Sequence, residues 1–262
     1  MKLFLAVILF SLNIGDSQST TDLAKHFAGI DGAFVLYDTK NDKYYRHNEK
    51  RCAERLSPCS TFKVPNSLIA LETGVVADEN FVIEWDSVAI PRQSLVSPNW
   101  ARDHDLRSAM QYSVVWYYQE VARRVGEENY RHYLRKINYG NQDISGGVDR
   151  FWLASTLKIS ANEQIEFLKK FYRDELGFSK RATEIVKSII VLEQADQYTL
   201  RGKTGAGPRE NGKMLGWLVG YVETKDNLYF YALNMDGEIF QEVSARRMEL
   251  AKALLRELKI LP

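Results

Sequence analysis

The 262-residue chain is 45% hydrophobic, 12% aromatic and 26% charged, which suffices for one or two domains with a large core. Sixteen glycines and six prolines are too few for collagen-like or low-complexity architectures. With 35 basic against 34 acidic side chains the formal charge is +1, so no global field gathers nucleic acid or an acidic membrane, and no nucleic-acid partner is expected.

At the N-terminus, Lys2 precedes an apolar run at 3–12, and small polar residues follow at 15–21. That order is the charged, apolar and cleavage-site pattern of a secretory signal peptide, and the run is too short to span a membrane. Residues 1–19 are therefore expected to be a signal peptide cut after Ser17 or Ser19. The mature chain, 20–262, is then a single catalytic domain that is exported, periplasmic or secreted, with no stable membrane anchor. An exported protein meets an oxidising compartment, so for Cys52 and Cys59 a disulfide and two separate buried thiols both fit. His26, His47, His104 and His132 are scattered and form no ligand pair at metal spacing, so no metal is expected.

Further along, 32–38 is rich in β-branched and aromatic residues, a turn follows at 38–42, and 43–46 resumes the pattern, which predicts a hairpin. Residues 198–203, 214–223 and 227–235 are three further strands. Between these groups, 67–71, 106–125, 127–137 and 161–172 carry apolar residues at helical spacing. The segment 243–258 repeats Leu and Ala every three or four residues and predicts a long amphipathic helix. The expected fold is α+β: an antiparallel sheet of five or more strands drawn from both ends of the chain, flanked by N- and C-terminal helices, with an inserted helical lobe and a cleft between the two.

The first motif that carries chemistry is Ser60-Thr61-Phe62-Lys63, followed by Val64-Pro65-Asn66. Pro65 is tolerated only in the first turn of a helix, which places the helix start near Ser60. Ser60 and Lys63 then share a face, and a neutral lysine amine can take the seryl proton. A second Ser-x-x-Lys, Ser155 to Lys158, reads as a surface turn. Two later motifs separate the copies. Ser113-Val114-Val115 lies in the helical middle, and Lys203-Thr204-Gly205 ends an expected strand, followed by glycines that let a ligand approach the backbone. The loop at 206–214, with Pro208, Arg209 and Glu210 at its tip, is expected to border the cleft.

Together with Tyr139-Gly140-Asn141, Phe151-Trp152-Leu153 and the run from Gly216-Trp217 to Glu223, these motifs resemble the serine β-lactamases and penicillin-binding proteins, and among them the class D β-lactamases, or oxacillinases. The resemblance implies that Ser60 is the nucleophile and that Lys63, carboxylated by carbon dioxide or bicarbonate, is the general base; no other cofactor is implied. Trp152 would hold the carboxylated amine and Val115 would wall that pocket. Ser113 would relay a proton to the leaving nitrogen, oriented by Lys203, and the backbone N–H groups of Ser60 and Ala206 would stabilise the oxyanion. The substrate carboxylate would meet Thr204 beside Gly205 and an arginine of the last helix. Arg246 and Arg247 are both candidates, and the register Arg247-Met248-Glu249-Leu250 favours Arg247. Asn141 has a structural part. The implied activity is hydrolysis of penicillin-type antibiotics, with a small-molecule β-lactam as partner and a monomer or homodimer as the assembly. A β-lactam sensor that stays acylated and a D,D-peptidase are the alternatives of the same fold.

Overall fold

A computed structural model describes residues 22–262, so the expected signal peptide at 1–19 lies outside the described residues. Strand β1 (Gly32–Asp38) turns back into β2 (Lys43–His47) as the expected hairpin. A short helix α1 (Glu49–Ala53) follows, then a 3-10 turn at Cys59–Phe62 that runs directly into α2 (Lys63–Glu72). The helical lobe adds α3 (Leu106–Gln111), α4 (Val115–Val125), α5 (Glu127–Lys136), α6 (Ala161–Tyr172) and α7 (Lys180–Ile189). The chain then completes the sheet with β3 (Val191–Gln194), β4 (Tyr198–Pro208), β5 (Met214–Thr224) and β6 (Leu228–Gly237), and ends in α8 (Phe240–Glu257).

The sheet has six strands in the order β2-β1-β6-β5-β4-β3, every neighbouring pair antiparallel. The α+β expectation holds, and the added strand β3 is the outer edge beyond β4. Its four residues are too few for periodicity to show. On the N-terminal side, the described residues form a 3-10 turn at Ala24–Phe27 where a flanking helix is expected. Side chains alternate along β1: Phe34 and Leu36 meet Leu250, Leu254 and Leu255 of α8, whereas Ala33, Val35 and Tyr37 face the helical lobe. Both faces of the sheet are thus covered, which explains why β1 is buried throughout.

Local chemistry sets the helix boundaries. Ser160 and Glu163 form a reciprocal capping box that starts α6 at the expected residue, and Asp105 with Ser108 does the same for α3. Gly126, at φ +80°, separates α4 from α5. Three expectations are corrected. The stretch 106–125 is two helices, because Ser113 adopts φ +55° and Val114 is extended. The α-helix carrying the first motif begins at Lys63, and Ser60 sits in the 3-10 turn before it. Lys203-Thr204-Gly205 is interior to an eleven-residue strand that pairs with β5 as far as Pro208↔Met214, which leaves only 209–213 as the turn. Cys52 and Cys59 are both buried and unpaired thiols.

Candidate active site

The nucleophile candidate is placed by the junction of two helix types. Cys59, at φ +49°, directs the chain into the 3-10 turn, and Thr61 ties that turn to the Pro58 carbonyl through both its N–H and its hydroxyl, at 3.1 and 2.8 Å. From this turn Ser60 looks into the cleft between sheet and lobe. Lys63 opens α2 one turn later, and its Nζ donates to Ser60 Oγ at 2.8 Å.

Lys63 has 0% of its surface exposed. Its Nζ lies 5.2 Å from the centre of the Tyr118 ring, whose hydroxyl bonds Ser67 at 2.9 Å. Removal from water disfavours the ammonium and lowers its pKa from 10.5 to about 7, so the neutral amine is well populated near neutrality. Trp152 is also wholly buried and stacks on Phe62 at 5.6 Å, inside an aromatic cluster with Phe151 and Tyr139. Its indole Nε1–H has no hydrogen-bond partner among the described residues. An unpaired buried donor is costly, so this one marks a place for an acceptor.

On the opposite side, Lys203 donates to Ser113 Oγ at 3.0 Å and to the Thr204 carbonyl at 3.1 Å. Burial, Lys63 and Arg247 all push the Lys203 pKa well below its ordinary value. Strand β4 presses closely on the nucleophile turn: a Cβ at Gly205 would come within 2.9 Å of the Pro58 carbonyl, and one at Gly207 within 2.7 Å of Cys59 Sγ. Glycine at both positions is therefore what lets the strand run beside Ser60.

Ser60, Ser113, Thr204, Gly205, Ala206 and Arg247 line one cleft of about 680 Å3, and Val115 is on its wall. Lys63, Trp152 and Lys203 stand behind it, buried. Arg247 reaches over β4, and its Nη1 donates to the Gly205 carbonyl at 2.8 Å. Arg246 instead pairs with Glu242 along its own helix at 2.7 Å. The structure thus brings Arg247, and not Arg246, to the cleft. Asn141 has the structural part expected of it: its amide bonds the Thr156 carbonyl and the Lys158 N–H at 2.8 and 2.9 Å. Ser155 lies in the bends after Trp152 and Lys158 in the irregular chain beyond them, on no helix, and the two share no hydrogen bond.

Several site residues are invisible to motif spacing. Trp100, Tyr112, Met214 and Phe240 give the cleft an apolar rim from four separate segments. Ser57 donates to the Trp152 carbonyl and accepts from the Ala154 N–H, both at 3.0 Å, clamping the Trp152 turn to the nucleophile turn. Trp217 Nε1 donates to the Ser57 carbonyl at 2.9 Å. The only advance signal for this clamp is that Ser57 and Trp217 sit beside or within quoted motifs.

A serine hydrogen-bonded to a buried lysine, a second serine–lysine pair across the cleft and a cationic arm from α8 are parts that suit an acyl-transferring hydrolase. The family model described as penicillin binding protein transpeptidase domain matches residues 32–257, and the chain belongs to that family. It is 44% identical over 231 residues to beta-lactamase OXA-48 of Klebsiella pneumoniae, covering 88% of this chain and 84% of that one. The class D beta-lactamase YbXI from Nostoc superposes with a TM-score of 0.86 at 39% identity, over 92% of this chain and 99% of that one. The regulatory protein BlaR1 of Bacillus licheniformis is 39% identical over 231 residues, which is 88% of this chain but 37% of that protein. Within the family, the chain is a class D β-lactamase, a hydrolase of β-lactam antibiotics.

Proposed function

We propose that hydrolysis proceeds through an acyl-enzyme on Ser60, that Lys63 works as a carboxylated general base, and that penicillin-type antibiotics are the substrates. The observation that carries this reading is the contact of Ser60 Oγ with Lys63 Nζ at 2.8 Å, with Lys63 wholly buried and the unpaired indole N–H of Trp152 beside the same Phe62. The residues fit a carboxyl group on Lys63: the amine is neutral in part, its surroundings are apolar, and Trp152 supplies a free donor. Such a group supplies a base for the seryl proton and, later, for the proton of the hydrolytic water.

The chain's own residues do the rest. Ser113, held by Lys203, carries a proton to the leaving nitrogen of the opened ring. The backbone N–H groups of Ser60 and Ala206 receive the oxyanion on the carbonyl. Thr204 and Arg247 bind the substrate carboxylate, the guanidinium offering a planar pair of donors. Val115 walls the cleft beside Ser60. The protein is read as exported, with its signal peptide at 1–19 and its catalytic domain at 20–262, and as a monomer or homodimer.

The test is the rate at which the benzylpenicillin acyl-enzyme is released. Fast release with stoichiometric labelling of Ser60 supports the enzyme. A stable adduct would favour the sensor reading that the likeness to BlaR1 raises.

A further inference from the structure

Ser113 holds φ +55°, a left-handed backbone conformation uncommon for a residue with a side chain. Such a conformation persists only where its surroundings over-determine it. Here they close on one residue, Trp100. Its indole Nε1–H donates to the carbonyl of Tyr112, the residue before Ser113, at 2.9 Å. Its own carbonyl accepts from the indole Nε1–H of Trp116, three residues after Ser113, also at 2.9 Å. The chain entering the Ser113 turn and the chain leaving it are thus clipped to the same residue.

The geometry explains why this matters for Ser113. Rotation of the Tyr112–Ser113 peptide plane is what φ of Ser113 measures. That plane is held at both edges: its N–H donates to the Met110 carbonyl at 3.2 Å, and its carbonyl receives the Trp100 indole. Trp100 is itself pinned, because His104, 1% exposed, contacts the neighbouring Asn99 carbonyl through Nε2 at 2.9 Å. A carbonyl can only accept, so that nitrogen carries a proton. The direction of the Ser113 Cα–Cβ bond, and hence the 3.0 Å contact of Ser113 Oγ with Lys203 Nζ, follows from this arrangement.

We infer that Trp116, through Trp100, is a positioning residue for proton transfer at Ser113 during acylation. The inference rests on the reading of Ser113 as the proton carrier to the leaving nitrogen. Trp116 touches neither the cleft nor the reacting atoms; it is buried in the first turn of α4, and its contribution is the single N–H that closes the clip.

The experiment is pre-steady-state kinetics of the full chain with a chromogenic β-lactam, on Trp116→Phe, Ser113→Ala and the double variant. Phenylalanine keeps an aromatic ring in the site and removes the N–H. Acylation should fall about tenfold in Trp116→Phe, a part of what general acid–base catalysis contributes. Release of the preformed acyl-enzyme, which depends on Lys63, should stay within about twofold. In the Ser113→Ala background, Trp116→Phe should cause no further loss of acylation. Trp116→Leu also removes the N–H, at a residue away from the cleft, and should be equally silent in that background, which keeps the test decisive if Trp116→Phe folds poorly. Unchanged acylation in Ser113→Ala would sink the reading of Ser113 itself. Slow acylation in Ser113→Ala, with either no effect of Trp116→Phe or losses that multiply in the double variant, would overturn the clip alone. Equal slowing of acylation and release by Trp116→Phe would also overturn it, because a loosened lobe slows both.

Discussion

Lys63 Nζ lies 2.8 Å from Ser60 Oγ although the two residues belong to different helix types, the serine to a 3-10 turn and the lysine to the start of α2. The tighter turn leaves Ser60 at the cleft while Lys63 stays buried behind it, so on the proposed reading the hydroxyl that meets substrate is Ser60's and the group that takes its proton is held beneath it. Removal of the hydroxyl should therefore abolish both adduct and turnover. Ser60→Ala, incubated with a slowly released β-lactam, should gain no mass, whereas the native protein gains one ligand at Ser60. Members of a catalytic unit are not additive, so the nucleophile alone accounts for most of the rate. Labelling at Ser155 would reverse the choice of motif.

Activity should fall as pH drops through about 7. Burial lowers the Lys63 pKa from 10.5 to about 7, so the proton-free amine dominates above that value and the ammonium below it. Only the proton-free amine reacts with carbon dioxide. Activity lost in acid should recover on raising the pH and adding bicarbonate, and carbon-13 NMR after labelled bicarbonate should show a signal that vanishes in Lys63→Ala. Trp152→Ala should be milder and largely restored by extra bicarbonate. A native protein indifferent to bicarbonate, with no such signal, would end the carboxylated-lysine proposal while leaving Ser60 as nucleophile.

Arg247→Ala should cost about 2–3 kcal/mol in kcat/KM for penicillins, roughly 30- to 160-fold, as expected for a charge-assisted pair. Arg246→Ala, which loses only a side-chain pair with Glu242 on its own helix, should change turnover less than twofold, because such exposed pairs are worth a few tenths of a kcal/mol. Steady-state kinetics on both variants decides the matter, and the opposite ranking would move the carboxylate site by one residue.

Gly205→Ala should displace β4 from the nucleophile turn, since its Cβ would meet the Pro58 carbonyl at 2.9 Å and backbone does not move aside cheaply. Overpacking of this kind costs about 1–3 kcal/mol of stability. Denaturant unfolding and acylation rates should both suffer; a variant as stable and active as the parent would show that the contact relaxes freely.

Beneath the end of the sheet, Asp236 receives Arg51 at 2.6 Å and Arg209 at 2.7 Å, its carboxylate almost wholly buried. Asp236→Ala leaves the buried guanidinium of Arg51 without its main partner and should cost about 3–5 kcal/mol. Thermal unfolding measures this directly, and an unchanged Tm would mean that Asp31, the other carboxylate on Arg51, suffices.

Elements with a strong local signal were legible from residues alone. The 161–172 helix, the 32–38 and 43–46 hairpin and the long strands after 198 follow from periodicity and turn chemistry, and the motif serines and lysines from their type, order and spacing. Other features depend on residues far apart in the chain. The break at Ser113 runs against a helical pattern and is held by indoles from Trp100 and Trp116. Both Arg246 and Arg247 suit the start of the last helix and the register there favours Arg247, but it is the packing of α8 on the sheet that brings Arg247 to the Gly205 carbonyl and leaves Arg246 on Glu242. Trp152 reads locally as one more core aromatic. Its unpaired N–H becomes meaningful only when the turn clamped by Ser57 sets it in the same buried cluster as Phe62, one residue before Lys63. Local pattern determines which chemical groups exist and which elements carry them; the tertiary packing of sheet against lobe decides which of those groups lose their water, and hence which ones are reactive.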